Sequence, residues 1–351
     1  MPLKPSADGF APTLVRWQRA HGRHDLPWQQ SRDPYRVWLS EIMLQQTQVV
    51  TVRDYFARFL LRFPEVSALA QAPLDDVLAL WSGLGYYSRA RNLHHCAQQV
   101  MAVHGGTFPR TAEQLQTLPG IGPSTAAAIA SICFGERVAI LDGNVKRVLT
   151  RYLGFDTDLA MASNERALWQ EATRLLPQTD LAETMPRYTQ AVMDLGATVC
   201  TARKPACGVC PLLGACRAQA LGTPEAFPVK TRKLKRSAQT LWLLWAQTHD
   251  GAVWLSQRPA PGVWAGLYCL PLFDERDALM NCLPLALHPQ AQDQPVIKHV
   301  LTHKDLYLHP VQLVMPAGSL PQMAGAWVSA DQWHKLGLPA PIRKMLSAAN
   351  G

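Results

Sequence analysis

Four cysteines on one short stretch, Cys200, Cys207, Cys210 and Cys216, constrain the folding of this chain more than any other feature. Soft thiols in the spacing C-x6-C-x2-C-x5-C draw a loop around a metal centre, and both zinc and an iron–sulfur cluster suit such a donor set. Arg203 and Lys204 lie inside the loop and Arg217 just after it. The first residues, MPLKPSADGF, lack the apolar core of a signal peptide, so a cytoplasmic location is expected, nucleoid-associated if the source is bacterial. There disulfides are a poor explanation for clustered cysteines. Cys96, Cys133, Cys269 and Cys282 are expected as buried small apolar residues.

Length and charge bound the partners. At 351 residues the chain exceeds most single cores, so two domains are expected. An apolar content of 48% with 17% charged residues excludes a disordered chain. The longest apolar runs, such as 126–134 and 241–246, are too short for a bilayer, and no membrane partner is expected. Residues 1–236 hold 27 Lys and Arg against 19 Asp and Glu, and residues 237–351 hold 7 of each, which matches the totals of 34 and 26. The surplus of +8 thus lies wholly in the first two-thirds, where a polyanion is the expected partner.

Periodicity divides the chain. Asp33-Pro34 reads as an N-cap and first helical residue, opening one long helix through YRVWLSEIMLQQTQVVTVRDYFARFL to near Pro64. Helices are expected at about 74–81, 88–103, 111–117, 123–134, 143–152, 164–175 and 185–196, with Pro and Gly at most junctions. After Cys216 a basic linker follows, with five cations (Lys230, Arg232, Lys233, Lys235 and Arg236) in seven positions. Beyond it TLWLLWAQT, AVWLSQR, HVLTHKDLYLHPVQLVM and GAWVSA read as strands, with a last helix at about 339–348. The expected fold is therefore multidomain, an all-α part followed by an α+β part.

The octet LPGIGPST (118–125) precedes the alanine-rich run AAAIASICF. A tight glycine turn leading into a helix offers backbone amides and the positive end of the helix dipole to a phosphate. Twenty residues beyond Gly122 stands Asp142, in ILDGNVKRV. This LPGxG…D spacing, followed by the four cysteines, resembles the helix–hairpin–helix DNA glycosylases that carry a [4Fe–4S] cluster. LSEIMLQQTQV, WSGLGYYSRARNLH, LDGNVKRV and QAVMDLGATVC narrow the resemblance to MutY-type adenine DNA glycosylases, from about residue 10 to 217 and more weakly to 351.

The resemblance implies a glycosylase domain over 1–217, with the helix–hairpin–helix at about 111–134 and the cluster loop at 200–216. A linker at 218–237 and a Nudix-like domain at 238–351 follow. The implied substrate is double-stranded DNA with adenine opposite 8-oxoguanine or guanine, and the implied enzyme is a monomer. Glu41 would protonate adenine N7. Its helical neighbours Val37, Trp38 and Leu44 are apolar, and an acid so placed stays protonated at neutral pH. Asp142 would stabilise the cationic sugar and cap its helix at once. The Arg23-to-Trp28 segment, Ser124 and Gln190 would wall the adenine pocket, and Gln45, Gln46 and Tyr86 would fill the vacated duplex. Thr47, Gly120, Gly122, Asn144 and Lys146 are further implied DNA contacts. Bifunctional relatives carry a lysine after the hairpin where this chain has Ser124, which implies a monofunctional enzyme. The Nudix-like part has a single glutamate, Glu275, so it cannot form the several-glutamate magnesium site of a pyrophosphatase. Thr302 and His303 would instead read the opposite base, with Leu301 where the family commonly has an aromatic. Two other functions fit these motifs less well: a thymine-glycol-type glycosylase/lyase and a non-catalytic iron–sulfur DNA-binding protein.

Overall fold

The computed structural model describes residues 9–231, 236–259, 261–315 and 323–349. Part of the basic linker, 232–235, therefore lies outside the described residues. The helices run α1 (Phe10–His21), α2 (Pro34–Leu44), α3 (Val49–Arg62), α4 (Val66–Gln71), α5 (Leu74–Trp81), α6 (Ser88–His104), α7 (Ala112–Leu115), α8 (Pro123–Phe134), α9 (Gly143–Leu153), α10 (Ala162–Arg174), α11 (Leu181–Thr198) and α12 (Arg217–Ala220). Then come β1 (Ser237–Thr248), β2 (Val253–Gln257), β3 (Tyr268–Cys269), β4 (Leu272–Phe273), α13 (Arg276–Asn281), β5 (Gln292–Asp293), β6 (Ile297–Val300), β7 (Lys304–Met315), β8 (Ala326–Val328), α14 (Ala330–Trp333) and α15 (Ala340–Ala349). Packing groups the chain into two units, residues up to 70 with 95–233, and 71–94 with 234 onward. Among the described residues no helix is long and apolar enough to cross a membrane.

The first unit is helical and centres on α11. Its buried face (Met185, Tyr188, Ala191, Val192 and Leu195) packs on α1, α8 and α9. Phe10 of α1 meets Tyr152 of α9 at 4.5 Å between ring centroids. A Cβ on Gly196 would stand 2.8 Å from Cβ of Asn144, so glycine at this position allows α11 and α9 to close. The single long helix expected over 35–60 is two. The Asp33 carboxylate takes the Tyr35 amide at 3.0 Å and Pro34 opens α2, but the chain leaves the helix at Gln45–Gln48, with Gln46 at φ +57°, and restarts at Val49. Both helices bury apolar residues, Ile42 and Met43 in one and Val52, Phe56 and Phe59 in the other. The apolar pattern therefore runs across the break and hides it.

The second unit is a mixed sheet in the order β3-β2-β1-β7-β5, with β4 on β1, β6 on β7 and β8 on β2. β1 and β7 run parallel along twelve residues each and place Trp242 against His309 at 4.4 Å. The other pairings are antiparallel. The stretch from His299 to Met315, expected as one strand, is the hairpin β6–β7, turned at 301–303 by the Leu301 amide on the Lys304 carbonyl at 2.8 Å. Leu244, Ala246, Trp254, Leu279, Val311 and Leu313 form its core. α5 and the turn after it belong here. The hydroxyls of Ser82 and Tyr87 each donate to the Leu338 carbonyl at 3.0 Å, and Leu78 leaves no room for a Cβ on Gly337.

Candidate active site

α2 sets Glu41 among buried Val37, Trp38, Ser40 and Ile42. Its carboxyl opens on a cavity of about 320 Å³ in the first unit, which Trp28, Val37, Ser40, Ile132 and Gln190 also line. Trp28 is buried and stands edge-on to Phe56 at 5.5 Å. Burial pushes the Glu41 pKa up to about 7, and the negative charge of Asp142 adds to the shift. The two carboxyls therefore sense one another, although Asp142 is not on the cavity wall.

Asp142 is the N-cap of α9: its Oδ1 takes the Val145 amide at 2.7 Å. Burial raises its pKa, while the Val145 and Asn144 amides and then Arg147 and Lys146 oppose the rise. Ser124 does not line the cavity. Its hydroxyl accepts the Leu141 amide at 3.0 Å and so ties the first turn of α8 to the residue before Asp142.

The orientation of Gln190 is decided by a group the sequence reading missed. Asp194, fully buried, takes the Arg23 amide at 3.0 Å and Nε at 2.7 Å, and also Nε2 of Gln190 at 2.9 Å. With its NH2 committed to Asp194, Gln190 has its carbonyl oxygen free to accept. The available signal was an acid one turn after Gln190 within the apolar run AVMDLGA, since a buried charge needs a partner.

The hairpin is α7, the turn 118–122 and α8. Gly120 holds φ +75°, and Gly122 is the N-cap with Pro123 at the first helical position. Gln45 Nε2 reaches Thr125 Oγ1 at 3.5 Å, which brings the 45–48 break, with exposed Gln46 and half-buried Thr47, beside this helix. Lys146 Nζ pairs with Glu165 at 2.5 Å. Asn144 Oδ1 takes Arg147 Nη2 at 2.8 Å.

The four cysteine thiols are half-buried and free. Among the described residues no three His, Cys, Asp or Glu converge as a single-ion site. The donor set nevertheless fits a thiolate-ligated cluster, because buried Arg151 brings a guanidinium to 3.3 Å of Cys200 Sγ, where it would balance anionic sulfur. Arg151 also donates to the carbonyls of Thr201, Ala202 and Pro224, and Arg147 Nε to that of Cys200 at 2.7 Å. α9 thus carries Asp142 at one end and braces the cysteine loop along its length. Cys96 and Cys269 are buried, and Cys133 and Cys282 partly so.

In the second unit Tyr86 and Thr302 meet hydroxyl to hydroxyl. Tyr86 has φ +49° and is 40% exposed, whereas Tyr87 is buried. Arg89 braces the loop from beneath, over the Trp81 and Tyr86 rings and on the carbonyls of Leu84 and Gly85. Thr302 and His303 are exposed at the β6–β7 turn, which Arg236 holds through the Leu301 carbonyl at 3.0 Å and Asp305.

Comparison with known proteins agrees with this geometry. The model of the HhH-GPD superfamily base excision DNA repair protein matches residues 39–174. The iron–sulfur binding domain of endonuclease III matches 200–216, and the NUDIX domain 242–348. An adenine DNA glycosylase of Buchnera aphidicola subsp. Acyrthosiphon pisum is 35% identical over 342 residues, 96% of each chain. That of Homo sapiens is 43% identical over 219 residues, 60% of this chain and 39% of its own. A solved thermostable thymine-DNA glycosylase superposes with a TM-score of 0.54 at 28% identity, covering 61% of this chain and 97% of that one. The cysteine loop is accordingly the seat of a [4Fe–4S] cluster. On sequence, fold and site together, the chain belongs to the adenine DNA glycosylase family, enzymes of base excision repair built on a helix–hairpin–helix core.

Proposed function

We propose that the protein removes adenine from duplex DNA where it faces 8-oxoguanine or guanine, by hydrolysis alone. The observation that carries this reading is the unequal pair of carboxyls. Burial raises both, Glu41 to about 7, so that much of it holds a proton at neutral pH, whereas at Asp142 the Val145 and Asn144 amides and then Arg147 and Lys146 oppose the rise and favour the charged form. The extruded adenine occupies the 320 Å³ cavity beside Trp28, with its exocyclic amine on the free oxygen of Gln190. Glu41 gives its proton to N7, and the C1′–N9 bond breaks with its electron pair leaving on the base. The Asp142 carboxylate faces the sugar cation. Water then bonds to C1′, and its proton restores Glu41.

Two features support hydrolysis without strand cutting. The hairpin position carries Ser124, and the nearest amine, Lys146, is committed to Glu165. A bound cluster would secure the loop that presents exposed Arg203 and Lys204. In the second unit, Tyr86, Thr302 and His303 form one exposed edge suited to the opposite base, and the protein acts as a monomer.

The test is incubation of the protein with duplexes carrying A:8-oxoG, A:G, A:T and thymine glycol, each read with and without hot alkali. Adenine release from the first two, with strand breaks only after alkali, is expected. Cleavage without alkali that Lys146→Ala abolishes would make the enzyme a lyase instead.

A further inference from the structure

α1, which gives Gln18 to the active-site cavity, turns another face to a second cavity of about 510 Å³. Three guanidinium groups line it, those of Arg16 and Arg19 from α1 and Arg174 from the end of α10. Among the described residues Arg16 and Arg19 have neither an ion-pair nor a hydrogen-bond partner. Arg174 gives Nε to Glu171 at 2.9 Å, but its Nη2 is buried with no partner. Arg16 and Arg19 are exposed at the mouth of the cavity, so three cations with one carboxylate partner give the concavity a positive potential. The buried, unpaired Arg174 N–H is the group that most needs an acceptor. Val15, Leu176 and Pro177 add aliphatic surface beside the arginines, and Gln178, Thr179 and Thr184 add polar groups.

We propose that this cavity binds a free nucleotide, with its phosphates on the arginines and its base on the aliphatic surface of Val15, Leu176 and Pro177. The guanidinium fork matches phosphate oxygens two at a time, which an ammonium does not. The volume falls within the range of roughly 300–1,000 Å³ typical of small-molecule sites, far more than one phosphate needs. A duplex would bring phosphates on a convex ridge and keep its bases stacked, leaving the aliphatic lining bare. The site takes no part in the glycosylase chemistry, since none of these arginines lines the Glu41 cavity.

Titration calorimetry on the full-length, cluster-containing protein tests the assignment, with ADP, inorganic pyrophosphate and a short undamaged duplex as probes at low salt. ADP is expected to saturate one site per chain and to bind about tenfold more tightly than pyrophosphate, which lacks a base. Arg19→Gln and Arg174→Gln each weaken ADP at least tenfold. Arg19→Gln keeps wild-type adenine release, which shows that its fold is intact. Absence of saturable ADP binding at millimolar concentration, or unchanged affinity in Arg19→Gln, would overturn the proposal. So would weaker duplex binding with a shallower salt dependence in Arg16→Gln and Arg19→Gln while ADP affinity stays the same, because the arginines would then be DNA-backbone contacts.

Discussion

A carboxyl whose pKa is lifted to about 7 must lose much of its hydration, and at Glu41 burial on α2 does this. Glu41→Gln cannot donate a proton, so adenine release is expected to fall by about 10²–10⁴-fold in single-turnover assays. The wild-type rate should itself fall about tenfold per pH unit above about 7, where Glu41 ionises. The stability effect has a definite sign. The folded pKa of about 7 lies above the ordinary 4.5, so the native state binds the extra proton. That contribution is fully present below about pH 4.5 and is lost as pH rises towards 7, a span on the order of 3 kcal/mol at most. Glu41→Gln should therefore melt above wild type at pH 8, with the gap closing towards pH 5; a variant less stable at both pH values would contradict the burial argument. At Asp142 two roles separate by substitution. Asn caps a helix nearly as well as Asp, so Asp142→Asn should melt within a few tenths of a kcal/mol of wild type yet release almost no adenine. Asp142→Ala should lose about 1 kcal/mol in addition.

At the scale of elements, α9 links the Asp142 carboxylate to the cysteine loop. Arg151 is 2% exposed and donates to four loop or flanking carbonyls, those of Thr201, Ala202, Pro224 and Phe227, and to Cys200 Sγ. Arg151→Met leaves those acceptors unpaired, so a loss of several kcal/mol is expected. The visible absorbance of the cluster should fade faster under chelator than in wild type, and an unchanged bleaching rate would separate the helix from the loop. The same scale shows what a linear pattern conveys. α5 and α8 begin and end at the residues expected, because proline, glycine and a polar cap punctuate them locally. The break at 45–48 was hidden, since both flanking helices bury apolar residues on a continuous period. The 301–303 turn was hidden for a similar reason: alternation runs through Leu301-Thr302-His303 without a glycine or proline to mark the reversal.

For the molecule as a whole, charge and packing divide the chain differently. The cationic surplus ends with the linker, so duplex affinity should fall steeply with salt and the slope should survive loss of the region beyond it. Packing assigns 71–94 to the second unit, where Ser82 and Tyr87 bond the Leu338 carbonyl and Leu78 sits against Gly337. A chain ending at Arg236 would strip those partners from α5 and the Tyr86 loop. Such a truncation should bind a hydrophobic dye and be cut by protease within 71–94, and a fully protected segment there would show that it folds without the sheet.

The sequence by itself determined the chemistry that depends on residue type and short spacing. The thiol loop, the glycine turn, the capping acid at 142 and the apolar flanks of Glu41 all arise from contacts within a few residues. Tertiary structure alone decided whatever needed a distant partner. It joined Arg23 to Asp194 and so turned Gln190, placed Asp142 where its charge raises Glu41, and returned 71–94 to the C-terminal sheet. Local propensity is set by neighbours along the chain, whereas a buried charge or an open cavity is defined by residues far apart in sequence, and no periodicity records which of them meet.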